Sequence, residues 1–247
     1  MCVITSLITC VITSLMTCIV DADAKDKWLN DEVIFFYLQL LRDHASSRFN
    51  TIHVFNSFLL KLFVRPKATG YKGLYDYNRV KRWAKSGVWD NRLCLFPIHS
   101  PGHWSLIVVS RRYWPEGGSM RNLTTCDPTR IITHYDSLNQ MEEGDKVFTT
   151  TSKYVKHVEM FVKEDMRRKH YHHKLPPFQH KYPEVPQQEN GYDCGVFLCA
   201  FAYCVVHDLP IEKFLEQKHM QLFRKHMLLS VTSGTLVGVQ IEYDVGR

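Results

Sequence analysis

The chain has 247 residues, 45 % of them hydrophobic, 13 % aromatic and 23 % charged, with a formal charge of +6. This is the balance of a soluble globular enzyme with one sizeable core, and a single domain is the default. The modest basic excess comes without a block of basic residues interleaved with aromatics, which argues against nucleic acid as the leading partner.

Residues 1–20 hold an uncharged repeat, Cys2-Val-Ile-Thr-Ser-Leu-Ile-Thr followed by Cys10-Val-Ile-Thr-Ser-Leu-Met-Thr. Ala22-Asp23-Ala24 imitates a signal-peptide cleavage site, but a basic leading region is missing and Thr and Ser are abundant. Residues 1–27 are therefore read as a low-complexity extension rather than a targeting signal. Asn30 is placed to cap a helix with Asp31 and Glu32 in its first turn and Val33, Phe36, Tyr37, Leu40 and Leu41 on its apolar side. A second helix is expected over Phe55–Phe63, ended by Pro66 and Gly70, and a third around Asn78–Lys85. Leu93–Ile98 and Trp104–Ser110 read as paired strands joined by the loop His99–His103. A surface loop over 111–130 and a strand Ile131–Tyr135 ending at Asp136 follow. Helices are then expected over Lys146–Arg168, Cys194–His207 and Ile211–Leu228, with a proline-rich approach to Pro186 and a weakly strand-like tail from Ser230. Helices flanking a run of strands argue an α+β fold.

The eight cysteines form no spaced framework and no CxxC, so neither a disulfide scaffold nor a zinc site is offered, and a reducing compartment follows. Cys94, Cys199 and Cys204 lie in apolar surroundings and read as buried thiols. Cys194 differs. The polar, turn-prone segment Pro186–Asp193 delivers it to the start of a helix, where unpaired N–H groups and the helix dipole favour a sulfur anion. Gln188 can swing its amide to the same spot as an oxyanion donor, a pairing that suits a cysteine hydrolase.

A thiolate nucleophile needs a base and a group to orient that base. Thirteen histidines compete for the first role. His103 lies in a Gly-Pro loop where a strand begins, and Asp136 ends the neighbouring strand, so both can share one sheet edge; a surface-loop histidine beside a core tryptophan is the alternative. Asp193 reads as a turn or capping residue, and His134 as facing away from Tyr135 and not the base. His170, His172, His173 and His180, beside Arg167, Arg168 and Lys169, read as a solvated helix end rather than a metal or phosphate site.

The fragments Trp28-Leu-Asn-Asp-Glu-Val, Val54-Phe-Asn-Ser-Phe, Val80-Lys-Arg-Trp, Pro97-Ile-His, His103-Trp-Ser-Leu, Tyr135-Asp-Ser, Pro186–Gly195, His219-Met and Phe223-Arg-Lys run in an ordered set over residues 28–228. This set resembles the SUMO-specific (sentrin-specific) protease family. The resemblance implies a papain-like core with a central mixed sheet, His103 as base, Asp136 as its orienting group, Cys194 as nucleophile and Gln188 as oxyanion donor. It implies that Trp28 and Trp104 close a tunnel over a Gly-Gly terminus, since only residues without a Cβ fit between facing indoles. It further implies that Asp31 meets a basic residue of SUMO.

The implied activity is hydrolysis of the peptide or isopeptide bond after the Gly-Gly of SUMO, without cofactor or metal. The same chemistry on NEDD8 or another ubiquitin-like modifier, and a catalytically silent SUMO-binding module, are the alternatives. Expected partners are SUMO and its conjugates, with no nucleic acid required, no membrane and a monomeric state, in nucleus or cytoplasm. Expected borders are an extension over 1–27, a catalytic domain over 28–229 and a tail over 230–247.

Overall fold

Short apolar runs, buried on both faces along β2 and β3, build a five-stranded sheet with helices on both faces. The computed structural model describes residues 28–46, 51–64, 75–84, 91–111, 129–138, 146–169, 175–211 and 215–238. The strands are β1 (Ile52–Val54), β2 (Leu93–Ser100), β3 (His103–Arg111), β4 (Arg130–Tyr135) and β5 (Phe178–Lys181). They lie side by side in that order. β2, β3 and β4 are antiparallel, whereas β1 runs parallel to β2 and β5 parallel to β4, so the sheet is mixed. The helices are α1 (Asp31–Ala45), α2 (Leu59–Phe63), α3 (Lys146–Lys169), α4 (Cys194–Val206) and α5 (Met220–Ser233).

Strand side chains point alternately to the two faces. Leu95, Leu106 and Val108 join one apolar cluster with α1, α4 and α5. Phe96, Ile107, Val109 and Ile132 join a second with α2 and α3. α4 is apolar all round: of its thirteen residues only Tyr203 and Val205 are not buried, the pattern of a helix inside a core. Burying a phenylalanine contributes roughly 1.5–3 kcal/mol, so Phe197 and Phe201, at 0 and 1 % exposure, hold α4 firmly. The Cβ that Gly195 lacks would stand 3.1 Å from Leu29 Cβ and 3.2 Å from Ile34 Cδ1. That close approach lets the Trp28–Leu29 segment lie against the start of α4.

Local expectations and structure part at several elements. α1 is capped by Asn30, whose Oδ1 accepts the Val33 N–H at 2.9 Å. Its buried face is Val33, Ile34, Tyr37, Leu38 and Leu41, while Phe36 and Leu40 are only half-buried. The helix expected over Phe55–Phe63 is confined to Leu59–Phe63, because Phe55 continues the sheet by donating its N–H to Leu95 O. The third helix is a single 3-10 turn, Tyr77–Arg79, within the described residues. α5 starts at Met220 and continues to Ser233, so the tail expected from Ser230 begins inside a helix that ends at Gly234, φ +67°. Cys94, Cys199 and Cys204 are buried thiols, as expected. Burial pushes the Cys199 thiol far above its ordinary pKa. The repeat over 1–20, His170, His172, His173 and most of the 111–130 loop lie outside the described residues. Among the described residues no helix is long and apolar enough to cross a membrane.

Candidate active site

His103 and Asp136 meet because β3 starts where its antiparallel neighbour β4 ends. The β2–β3 turn is tighter than the sequence suggests: Ser100 pairs with His103, leaving Pro101-Gly102 as the loop, with Gly102 at φ +72°. His103 Nε2 lies 2.7 Å from Asp136 Oδ1. An ionised carboxylate only accepts, so Nε2 carries the proton and donates. Asp136 Oδ1 is held in turn by the Leu138 N–H at 3.0 Å. His103 Nδ1 is buried without another hydrogen-bond partner and is left to the Cys194 thiol. Burial disfavours the imidazolium, but the hydrogen bonds to Asp136 and Cys194 and their charges outweigh it, raising the pKa to about 9. For Asp136 burial likewise works against the charge; the His103 hydrogen bond and charge prevail and hold the carboxyl below its ordinary range.

Cys194 opens α4 and is 2 % exposed. The first N–H groups of a helix have no acceptor within it, so the Cys194 N–H is available as an anion donor. Gln188 lies on the irregular chain between β5 and α4. Its backbone N–H donates to Ser137 O, and the Ser137 hydroxyl donates to Gln188 Oε1, each at 2.8 Å. Gln188 Nε2 donates to Asn190 O. An amide nitrogen has two N–H groups, so one remains for a ligand. The arrangement can move a proton from sulfur to imidazole, and the Cys194 N–H and one Gln188 N–H remain as donors.

Trp104, 4 % exposed, donates from Nε1 to Leu29 O at 3.1 Å. Trp28 is 39 % exposed, and its ring lies 3.7 Å from where a Gly102 Cβ would stand. Both indoles thus border the hairpin that carries His103. Asp31 is half-buried in the first turn of α1. His99 packs on Trp104 with centroids 4.6 Å apart and accepts from Lys61 Nζ at 3.2 Å. Burial and then the Lys61 charge lower the His99 pKa, against the pull of Asp31.

Asp193 stands at the N-cap position of α4 and takes part in the turn, its Oδ2 accepting from Asn190 Nδ2. Its side chain makes no cap bond, however; Oδ1 accepts from Arg224 Nε at 2.9 Å and Nη2 at 2.6 Å. Asn190 closes the turn from the other side, its Oδ1 accepting the N–H groups of Tyr192 and Asp193. A buried guanidinium requires a carboxylate, and that need wins over capping. His134 is buried with Nε2 2.9 Å from Ser105 Oγ, and burial lowers its pKa to about 4. It stays neutral where His103 is charged. His180 lies on β5, 2.8 Å from Glu159 Oε2, not at a helix end. Among the described residues no group of three His, Cys, Asp or Glu side chains could hold a metal ion.

Sequence reasoning gave no role to Ser137, Asn190, Arg224 or Gln217, although the first three fall inside the fragments Tyr135-Asp-Ser, Pro186–Gly195 and Phe223-Arg-Lys and Asn190-Gly191 is a turn-forming pair. Ser137 and Gln188 are 51 residues apart, a separation at which spacing carries no information.

The family model described as "Ulp1 protease family, C-terminal catalytic domain" matches residues 27–233. The chain belongs to the Ulp1 protease family. It is 31 % identical over 208 residues to human sentrin-specific protease 2, a match covering 83 % of this chain and 30 % of that protein. Mouse sentrin-specific protease 5 is 31 % identical over 202 residues, covering 81 % of this chain and 22 % of the relative. The chain therefore spans under a third of these curated relatives. Among solved structures, the C-terminal Ulp1 protease domain in complex with Smt3, the yeast ortholog of SUMO, superposes with a TM-score of 0.58 at 20 % identity, covering 91 % of this chain and 83 % of that one. The Chaetomium thermophilum Ulp1-like SUMO protease catalytic domain gives 0.58 at 20 %, covering 87 % and 76 %. These likenesses establish the α+β, papain-like fold.

Proposed function

We propose that this domain is a cysteine protease that hydrolyses the peptide or isopeptide bond after the C-terminal Gly-Gly of SUMO, maturing the precursor and releasing SUMO from conjugates. The observation that carries this reading is the His103 ring, bonded through Nε2 to Asp136 with Nδ1 left for Cys194. His103 takes the thiol proton, and sulfur attacks the glycine carbonyl carbon. The oxyanion accepts from the Cys194 N–H and the free N–H of Gln188. Collapse expels the amine, protonated by His103, and leaves a thioester. Water, deprotonated by His103, then attacks the thioester and releases the glycine carboxylate.

SUMO is favoured by the relatives named sentrin-specific proteases and by the fold shared with a domain solved on Smt3. Trp28 and Trp104 would flank the Gly-Gly end, and Asp31 would meet a basic residue beside it. We place the catalytic domain from Trp28 to Ser233, where α5 ends, with 1–27 as an extension. It works as a monomer in nucleus or cytoplasm, without cofactor or metal. Vinyl-sulfone probes built on SUMO, NEDD8 and ubiquitin test the reading: labelling of Cys194 by the SUMO probe alone is expected. Preference for the NEDD8 probe would reassign the modifier, and no labelling would leave a binding module.

Gln188→Ala is expected to lower kcat by about 10²–10³-fold, the loss for one oxyanion donor. Ser137→Ala, which frees Gln188 Oε1 but leaves the amide, is expected to lower kcat roughly 5- to 10-fold, the worth of one hydrogen bond. A change confined to KM in both would make Gln188 a binding residue instead. With Trp28 and Trp104 flanking the terminus as proposed, a precursor ending Gly-Ala is expected to be cleaved about 5- to 150-fold more slowly than Gly-Gly, since forcing a methyl between them would cost about 1–3 kcal/mol. Equal rates would remove the tryptophans from the specificity site.

A further inference from the structure

Three side chains with no part in proton transfer converge on the carboxylate beside the nucleophile. Asp193 Oδ1 takes both Arg224 bonds, and Oδ2 accepts from Asn190 Nδ2 and Gln217 Nε2, each at 2.7 Å. The Asp193 and Arg224 side chains are 5 and 7 % exposed. The network continues toward the oxyanion amide. Asn190 binds Asp193 through its side chain and Gln188 Nε2 through its carbonyl. Gln217 Oε1 accepts the Glu189 N–H at 3.0 Å.

The two oxyanion donors are anchored in different ways. The Cys194 N–H belongs to α4, fixed by the core around Phe197 and Phe201. Gln188 lies outside every strand and helix, so its side-chain and loop bonds set its position. Arg224 sits on α5 and Gln217 on the 3-10 turn Gln217–His219 ahead of it. The register between nucleophile and amide thus depends on an element remote in sequence from both.

We propose that Asp193, Arg224 and Gln217 form a positioning unit that sets the Gln188 amide against the Cys194 N–H so that both reach one oxyanion. This rests on the cysteine-protease reading above. Small misplacements of such donors cost rate steeply. Alkylation of Cys194 by iodoacetamide passes through no oxyanion: sulfur bonds to carbon as iodide leaves. A unit acting on donor register should therefore affect the two reactions differently.

The test compares Gln217→Met, Arg224→Met and Arg224→Lys in the full chain. Removing one member of a buried ion pair can unfold a protein, so Gln217→Met, which alters a half-buried neutral side chain, is the leading variant. It is expected to lower kcat on a SUMO–fluorophore substrate by roughly tenfold, with KM and iodoacetamide alkylation within about twofold, the loss matching one charge-assisted hydrogen bond. Hydrogen exchange is expected to quicken at residues 189–193 and stay slow along α4. Arg224→Lys should recover part of the kcat that Arg224→Met loses. Equal losses in kcat and alkylation, losses that track the unfolded fraction, or unchanged exchange at 189–193 would overturn the proposal. If the wild type cleaves no modifier, the protease reading fails, and the exchange and alkylation data still decide the network.

Discussion

Replacing Cys194 with alanine is expected to lower kcat by about 10⁶-fold, the loss seen when the nucleophile of a catalytic triad is removed. On the proposed reading, affinity for SUMO, measured by calorimetry, is expected to hold within a few fold, because the docking surface would not include the sulfur. The substitution removes one buried atom at the start of α4 and leaves the packing of Phe197 and Phe201 intact. A wild-type rate from Cys194→Ala would end the cysteine-protease reading. Cys199 and Cys204 cannot substitute, since they lie inside the helix core at 0 and 1 % exposure.

The second large effect concerns Asp136. Asp136→Ala is expected to lower kcat by about 10⁴-fold, the size lost with the third member of a triad. Asp136→Asn separates orientation from charge: its amide oxygen can still accept from His103 Nε2 and Leu138, but the negative charge is gone. It should keep more activity than the alanine variant. The imidazolium persists until pH rises through about 9, so wild-type kcat/KM is expected to fall along an alkaline limb near that value. Without the carboxylate, burial pulls the His103 pKa down, and the limb should move to lower pH in both variants. An unmoved limb would assign it to another group.

The same coupling enters stability with a definite sign. The folded pKa of His103 lies above its ordinary 6.5, so its contribution is full below 6.5 and is lost as pH rises through about 9. The folded pKa of Asp136 lies below its ordinary 3.8, so its contribution is present above 3.8 and is lost as pH falls through the lowered value. Denaturation midpoints between pH 7 and 10 should fall more steeply in the wild type than in Asp136→Ala.

The sequence by itself determined what local chemistry controls. Asn30 capped α1, two short apolar runs around a Pro-Gly turn made β2 and β3 a pair, and the turn before Cys194 put one cysteine at a helix start. His103 and Asp136 were readable because each ends or begins a strand, and antiparallel neighbours bring such ends together. The strands β1 and β5 were not readable. Each is only three or four residues long and pairs in parallel, with a register set by a distant partner rather than by its own pattern. The run from Phe55 looked helical because its apolar residues suit either period; Leu95 settled the matter by accepting the Phe55 N–H. The tertiary structure alone also decided the support of the site. Asp193 and Arg224 are 31 residues apart, and Ser137 and Gln188 are 51 apart. Such pairs are chosen by which buried charge or amide lacks a partner once the core has closed, a condition that no single stretch of sequence contains.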